Sequence, residues 1–214
     1  MKKKMLLLAA IAALFCLTNV TNAQKTEKLF NEKDLSNWNF VVAENAVPAD
    51  QVFYIKNGLI HIKGNPFGYM YTKEKYGDCQ LHVEWRWAIP EATNSGIFLL
   101  IEDPTNPFPN GIECQLAAGR AGEFVCLGGS DLLEYQGDPT QPRPRFPVVP
   151  KAHESSEKPV GEWNTANIFV KNGTITVFIN GVYQNIGTNK IKSGHIGLQS
   201  EGKDIEFRNV YLTK

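Results

Sequence analysis

Short runs of residues in which apolar and polar side chains alternate follow one another along most of the chain. Alternation with a period of two is typical of strands that bury one face. Residues 52–64 and 168–185 carry Asn-Gly pairs between such runs, and Asn-Gly predicts a tight hairpin because both residues tolerate positive φ. The pattern therefore predicts an all-β sandwich or barrel of short antiparallel strands. Further strands are predicted at 80–87, 96–101, 111–116, 123–127, 195–199 and 204–212.

Three of these strands combine an apolar face with a face rich in ionisable and amide side chains. In residues 111–116, alternation places Ile112 and Cys114 on one face and Glu113 on the other. If the three strands lie in one sheet, their polar faces merge into a single surface, and its composition suits a sugar. An ordinary solvated face of an antiparallel sheet is the alternative. The polar members of the three strands, within residues 80–87, 111–116 and 195–202, are Gln80, His82, Glu84, Arg86, Glu113, Gln115, Gln199 and Glu201.

Residues 128–161 lack the alternating strand pattern and contain six prolines. Proline cannot donate to a strand ladder, so we expect no pairing there. A loop of this length inside a compact domain is usually functional or disordered. The loop contains Arg143, Arg145 and Phe146, residue types that suit the rim of a binding site. A surface loop without a function is the alternative.

The first residues have the pattern of a signal peptide. Lys2, Lys3 and Lys4 precede an apolar segment that is too short to span a bilayer. We expect cleavage after Ala23, which leaves a single exported domain of residues 24–214, periplasmic or secreted. An uncleaved anchor is the alternative.

The charge and the cysteines narrow the function classes. Removal of the signal segment takes three lysines and no acidic residue from a balance of 22 basic and 22 acidic side chains, leaving a formal charge of −3. No basic run is interleaved with aromatic residues, which argues against a nucleic-acid partner. Cys79, Cys114 and Cys126 allow at most one internal disulfide. We expect Cys114 to be a buried core residue rather than a nucleophile.

Several blocks of the chain resemble, in order, the landmarks of the 3-keto-disaccharide hydrolase domain family. The resemblance covers nearly all of residues 24–214. It implies a concanavalin A-like jelly-roll sandwich of two curved antiparallel sheets, with the site on the concave sheet. The blocks are KLFNEKDLSNW (28–38), EWRW and ATNSGIFLLI within 84–101, GIECQLAAGRAGEF (111–124), KPVGEWNT (158–165), TVFINGV (176–182) and GLQSEGKDIEFRNVYL (197–212).

The chain departs from the family pattern at two places. Leu99 and Leu100 stand where members of this subgroup often carry His or Arg, which removes one polar contributor. Many other relatives have a His-Gly pair after the GLQ block, whereas this chain has Ser200, Glu201 and Gly202.

The resemblance implies cleavage of glycosides whose glucose unit is oxidised at C3. A 3-keto group makes the neighbouring C2 proton acidic, so a base can remove it while the C1 substituent is expelled, and water then adds. This chemistry needs a carboxylate base, an acid for the leaving oxygen and a donor that polarises the carbonyl. Glu113 is the first choice as base, with Glu201 or Glu84 as its partner. The candidates for binding the sugar are Arg86, Asn94, Gln115, Gln199 and Trp163, with Tyr69 or Tyr71 as further aromatic surfaces.

Alternatives remain for the cofactor and for the class of protein. The residues indicate no required cofactor, but a divalent cation held by His82 and Glu84 would polarise the keto oxygen; a structural role for His82 is the other reading. A non-catalytic carbohydrate-binding module is the rival function, because this fold also serves lectins. In both readings the partner is an oligosaccharide or glycoside, with no nucleic acid and no membrane after signal cleavage. The oligomeric state is left open.

Overall fold

A computed structural model describes residues 25–88 and 90–214 of the chain. The expected signal segment, residues 1–23, lies outside the described residues. Two short 3-10 turns, Ala43–Asn45 and Ala49–Gln51, accompany a fold that is otherwise built from strands. Within the described ranges, no helix has the length and apolar character needed to cross a membrane.

The strands form two antiparallel sheets. Sheet I has the order β13-β12-β11-β6-β15-β4-β3, and β1 also pairs with β15. Its strands are β1 (Thr26–Lys28), β3 (Phe53–Lys56), β4 (Leu59–Ile62), β6 (Cys79–Trp87), β11 (Asn164–Lys171), β12 (Thr174–Ile179), β13 (Val182–Thr188) and β15 (Ile205–Thr213).

Sheet II contains the remaining strands of the described chain, in the order β10-β9-β8-β7-β14-β5-β2. Its strands are β2 (Trp38–Val42), β5 (Gly68–Thr72), β7 (Gly96–Ile101), β8 (Gly111–Gln115), β9 (Phe124–Leu127), β10 (Val148–Val149) and β14 (His195–Ser200).

The predicted hairpins are confirmed. At each Asn-Gly turn both residues have positive φ, for example 54° at Asn57 and 73° at Gly58, as a two-residue hairpin turn requires. The predicted strands are all present, with ends that shift by a few residues. The sequence pattern missed β1, β2, β5 and β10. In β5, residues are buried on both faces, so the chain shows no alternation there.

One apolar core joins the inner faces of the two sheets. Val83 and Trp85 of β6 and Ile112 and Cys114 of β8 belong to the same buried cluster. Trp85, Ile112 and Cys114 are each 0% exposed. Both β6 and β8 therefore give an apolar face to the centre, and the polar residues between these positions point away from the core.

The expectation that the three polar strand faces merge into one surface is wrong. Glu84 lies on β6 in sheet I, whereas Glu113 lies on β8 and Gln199 on β14 in sheet II. Because the core lies between the sheets, Glu84 and Glu113 face opposite sides of the sandwich. Strand alternation is the same in either sheet, so it could not distinguish them.

The proline-rich segment 128–161 is irregular over most of its length, but the expectation of no ladder pairing there is wrong. Val148 and Val149 pair with β9 between two prolines, at the edge of sheet II where a proline is tolerated. The segment is held by β13: Asn185 Nδ2 donates to Val149 O at 3.0 Å, and Glu134 accepts from the Thr188 amide at 2.6 Å. The loop thereby covers the open edge of sheet I.

The cysteines Cys79, Cys114 and Cys126 are all free thiols. Burial raises the pKa of the Cys114 thiol, and it raises the pKa of Cys79 and of Cys126 to about 11. Only the thiolate reacts readily with alkylating reagents, so all three should react slowly in the native state.

We predict that iodoacetamide modifies native protein first at Cys79, the half-buried thiol, and leaves Cys114 unmodified until the protein unfolds. Mass spectrometry of timed samples, with and without denaturant, measures this order. A Cys79→Ala variant provides the control for labelling at the other two positions. Modification of Cys114 as fast as that of Cys79 would contradict the strand parity assigned to β8.

Candidate active site

The outer face of sheet II carries the candidate site. In β8, Glu113 lies opposite Phe98 of β7 and Val125 of β9. Residues directly opposite in antiparallel strands point to the same face. On that face, Gln199 of β14 lies opposite Tyr69 of β5. Strand register thus brings the polar groups of β8 and β14 to the same side of the sandwich.

A pocket of about 210 Å³ opens on this face. This volume is below the roughly 300–1,000 Å³ that is typical of pockets for drug-sized ligands, so it suits one sugar ring with the rest of a substrate extending outward. The polar residues that line it are Asn94, Glu113, Gln115, Arg120 and Glu201.

Glu113 is the most deeply buried carboxyl group of the pocket. The residue is 3% exposed, and its Oε1 has no hydrogen-bond partner among the described residues. A Cβ at Gly96 would overlap Glu113 Oε1 and would lie 2.7 Å from its Cγ and 2.8 Å from its Cδ. Glycine at position 96 therefore leaves the space that this side chain fills. Burial, followed by the nearby charge of Glu201, raises the pKa of Glu113 well above its ordinary value, while Arg120 opposes the shift.

Glu201 has a different environment, although it lines the same pocket. Gln199 Nε2 donates to Glu201 Oε2 at 2.6 Å, and the Asn94 side chain also hydrogen-bonds the carboxylate. Burial raises the pKa of Glu201 above its ordinary value, and the two amide donors offset only part of that rise by stabilising the ionised form. The pair is therefore asymmetric, since Glu201 has donors for its charge and Glu113 has no donor among the residues that the structure describes.

Gln115 and Arg120 complete the polar side of the pocket. Gln115 Oε1 accepts hydrogen bonds from the Leu116 and Ala117 amides, both at 2.9 Å, so the amide nitrogen is the group that can serve a ligand. Arg120 follows β8 in the turn to β9, and its Nε donates to Glu123 Oε2 at 2.8 Å. The sequence reasoning missed Arg120, although it lies inside the GIECQLAAGRAGEF block.

Three buried oxygens at this site have no hydrogen-bond partner among the residues that the structure describes: Asn94 Oδ1, Glu113 Oε1 and Gln199 Oε1. Buried polar atoms are nearly always paired, so unpaired ones call for an explanation. Because Gln199 and Asn94 donate to Glu201 through their nitrogens, their oxygens remain as acceptors. Of the three residues, Asn94 and Glu113 line the pocket, where hydroxyl donors of a ligand would come nearest to their oxygens.

The other side of the pocket is apolar. We name it the apolar strip and define it as Phe108, Val125, Leu127, Phe146 and Val148. Three separate segments contribute to it: the β7–β8 loop, β9 and the middle of the proline-rich segment. The rings of Phe108 and Phe146 are 5.2 Å apart, and the Arg145 guanidinium lies 4.9 Å from the Phe146 ring. Phe146 and Arg145 thus lie at the rim of the site, whereas Arg143 pairs with Asp131 at 2.9 Å.

The remaining sugar-binding candidates lie elsewhere. Trp163 packs on sheet I, where the guanidinium carbons of Arg86 and Arg208 lie 4.7 and 4.0 Å from its ring. Glu84 and Arg86 belong to β6 in the same sheet. Tyr69 is on the outer face of sheet II but is 0% exposed, with its ring 5.2 Å from that of Phe98. The structure therefore brings together Glu113, Gln115, Asn94, Gln199 and Glu201, and it separates Glu84, Arg86 and Trp163 from them.

The two metal candidates are occupied by other side chains. Arg208 Nε donates to Glu84 Oε2 at 2.6 Å, and Asn209 Nδ2 donates to its Oε1 at 2.8 Å. Burial raises the pKa of Glu84, but these two donors outweigh it and hold the pKa below its ordinary value. His82 Nδ1 lies 2.8 Å from Asn167 Oδ1. Across residues 25–88 and 90–214, no group of three or more His, Cys, Asp and Glu side chains is arranged to hold a metal ion.

Leu99 and Leu100 mark the departure from the family pattern. Both belong to the main core and are nearly fully buried, although they are adjacent in β7. Leu100 has a φ of 56°, and the register between β7 and β14 shifts at this point. This bulge turns both leucines inward, so neither contributes to the polar side of the pocket.

Comparisons with known proteins agree with this architecture. A family model described as the 3-keto-alpha-glucoside-1,2-lyase-like domain matches residues 25–213. No curated protein sequence matches the chain.

Solved structures share the fold at low sequence identity. A candidate glycosyl hydrolase from Parabacteroides distasonis ATCC 8503 is 21% identical, with a TM-score of 0.63 over 88% of this chain and 98% of that one. The carbohydrate-binding module CBM66 from Bacillus subtilis is 8% identical, with a TM-score of 0.59 over 81% and 93%. The catalytic domain of a laminarinase from Thermotoga petrophila RKU-1 is 9% identical, with a TM-score of 0.59 over 89% and 98%. The concanavalin A-like jelly-roll sandwich is thereby confirmed as the fold.

We predict that Glu113→Gln gains free energy of unfolding relative to the wild type as the pH rises above about 4, the range in which the carboxyl group of the unfolded chain ionises. The folded state holds the Glu113 proton more tightly than the unfolded state, so the wild type loses free energy of unfolding once the unfolded carboxyl ionises. Glutamine has a similar shape and does not ionise. Thermal unfolding across this pH range measures the effect.

Glu154→Gln, at an exposed carboxyl, is the matched control and should follow the wild type. A difference in melting temperature between Glu113→Gln and the wild type that stays constant with pH would contradict the burial of a neutral Glu113.

Proposed function

Because the chain belongs to the 3-keto-alpha-glucoside-1,2-lyase-like domain family, we propose that it is a carbohydrate-active enzyme that cleaves glycosides whose glucose unit has been oxidised at C3. The observation that carries the proposal is the pair Glu113 and Glu201, which lines one pocket in two contrasting environments. Pairs of carboxyl groups whose surroundings separate their pKa values are typical of general acid–base catalysis.

In this proposal Glu201 is the base and Glu113 is the acid. Two amide donors favour the ionised form of Glu201, although burial raises its pKa, whereas Glu113 is buried, has an unpaired oxygen and lies near a negative charge, so Glu113 is the group that keeps its proton. These surroundings favour the reverse of the roles that the sequence suggested, in which Glu113 was the first choice as base.

The reaction proceeds in two halves. First, Glu201 removes the C2 proton, the electron pair forms a C1–C2 double bond, and the bond from C1 to the leaving oxygen breaks as Glu113 donates its proton to that oxygen. Then water adds to C1 as Glu113 accepts a proton from it, and Glu201 returns its proton to C2. The sum is hydrolysis, and both carboxyl groups regain their starting protonation.

A constant charge makes this exchange possible inside a buried site. The pair holds one proton and one negative charge before the first half, and it again holds one of each after it. No step requires two carboxylates to be ionised together, which their proximity and burial would make costly. Arg120, whose positive charge acts on Glu113, stabilises the stage at which Glu113 is ionised.

The other polar groups orient the sugar. The unpaired oxygens of Asn94 and Gln199 accept hydrogen bonds from hydroxyl groups of the ring. The amide nitrogen of Gln115 is placed by the hydrogen bonds that its oxygen accepts from the backbone. It serves as the donor to the keto oxygen, where negative charge develops when C2 loses its proton.

We predict that the two carboxyl variants respond differently to the leaving group. With an alkyl 3-keto-glucoside, Glu113→Gln and Glu201→Gln should each lower kcat by about 10²–10⁴-fold. With a nitrophenyl 3-keto-glucoside the leaving oxygen needs no proton, so Glu113→Gln should recover much of the rate and Glu201→Gln should not. Single-turnover rates for the two substrates provide the measurement.

Glu84→Gln is the control on the opposite sheet and should turn over both substrates as the wild type does. If Glu201→Gln instead of Glu113→Gln recovers the rate with the nitrophenyl substrate, Glu201 is the acid and Glu113 is the base. Exchange of solvent deuterium into C2 of the product distinguishes elimination from direct displacement at C1.

A non-catalytic carbohydrate-binding module is the alternative, favoured by the fold that the chain shares with CBM66 and by the apolar strip beside polar groups. A binding module would bind glycosides without turnover of any 3-keto-glucoside by the wild type. A role for a divalent cation also stays a prediction, and the same turnover assay with and without a chelator tests it.

A further inference from the structure

The two sides of the pocket differ in chemistry. One side presents the carboxyl and amide groups of Glu113, Glu201 and Asn94, and the other side is the apolar strip. None of the five side chains of the strip can donate or accept a hydrogen bond. Hydroxyl groups placed against them would lose their contacts with water and gain none in return.

The apolar surface continues from the floor of the pocket to the exterior. Leu127 and Val125 are 1% and 6% exposed, and they form its deep end. Phe108 and Phe146 are half-buried. Beyond them, the ring of Phe67 lies 5.9 Å from that of Phe108 and is 45% exposed. A ligand group can therefore follow apolar side chains from the interior of the pocket outward.

The unpaired oxygens lie at or beside the polar side of the pocket, which indicates the part of a substrate that meets that side. Asn94, Glu113 and Gln199 each have a buried acceptor without a partner among the described residues. A glucose ring supplies hydroxyl donors for these atoms. The group attached at C1 is then the part that remains for the apolar side.

We propose that the apolar strip binds the group attached at C1 of the sugar, and that this group is an alkyl or aryl alcohol rather than a second sugar. The inference rests on the proposed function, which supplies the 3-keto-glucoside ring. A second sugar could place only a C–H face of its ring against Phe108 or Phe146, and the hydroxyl groups at the ring edge would find no partner among the five side chains of the strip. An alkyl chain or an aromatic ring would instead bury apolar surface against Phe108 and Phe146.

Three substrates test this preference: methyl 3-keto-glucoside, hexyl 3-keto-glucoside and a 3-keto-disaccharide. The methyl and hexyl compounds release alcohols of similar acidity, so a difference between them reports contacts with the alkyl chain rather than leaving-group chemistry. We expect kcat/KM for the hexyl compound to exceed that for the methyl compound by at least about tenfold. The disaccharide should be no better than the methyl compound.

Variants assign the effect to the strip. Phe146→Ala should lower the ratio of hexyl to methyl kcat/KM by about tenfold, and Val125→Thr, which keeps the shape and adds a hydroxyl, should lower it as well. Phe169→Ala is the matched control, because Phe169 is 40% exposed on β11 of the opposite sheet. It should leave the ratio unchanged.

The outcomes separate this inference from the proposed function. Turnover of all three substrates with equal kcat/KM would uphold the function and overturn the apolar preference, as would preference for the disaccharide. If the wild type turns over none of them, the proposed function fails, and calorimetric binding of the same methyl and hexyl compounds decides about the strip. If the hexyl compound binds more tightly than the methyl compound and Phe146→Ala removes the difference, the proposed role of the apolar strip is supported. Equal binding of the two compounds overturns that role.

Discussion

The apolar core between the two sheets is the constraint on which the rest of the structure depends. Trp85 from sheet I and Ile112 from sheet II are both fully buried in it, and each strand can give only one face to it. In a regular strand such as β6 or β8, the residue beside a buried one therefore points outward. This is why Glu113 faces one exterior of the sandwich and Glu84 faces the other.

The outer faces of the two sheets differ in how their charged side chains are paired. On sheet I the charges pair with one another: Arg208 contacts Glu84, Arg86 Nε donates to Glu206 at 2.6 Å, and Trp163 packs against both guanidinium groups. On sheet II, Glu201 is held by amide groups rather than by a cation, and Glu113 Oε1 has no partner among the described residues. Charged side chains that pair with one another need no ligand, whereas buried acceptors without a partner point to a ligand-binding site.

The burial of Glu113 is sustained by features at several places in the chain. Gly96 provides the space for its side chain, and amides from residues 94 and 199 hold the charge of the neighbouring Glu201. Phe108 and Phe146 bring apolar rings from two loops to the same pocket. Active sites commonly accept such unfavourable burial because it shifts proton affinities to the values that catalysis needs. In the proposed reaction, the pair keeps a single negative charge in that environment.

The sequence by itself determined the local features. The Asn57-Gly58 turn follows from the positive φ that both residues tolerate, and the outward direction of Glu113 follows from its position between Ile112 and Cys114. The block resemblance added the sandwich and the family chemistry. Strand β5 escaped detection because burial on both faces removes alternation, and β10 escaped because prolines flank its two residues.

Only the tertiary structure decided which outward-facing residues meet. Alternation repeats identically in every strand, so it cannot tell that β6 and β8 belong to different sheets. That assignment depends on backbone pairing between strands far apart in sequence, such as β14 with β7. Arg120, Phe108 and Phe146 come to Glu113 from turns and loops, where no periodic pattern exists. The direction of each side chain is set by its neighbours in the chain, but the composition of the site is set by which strands the core brings together.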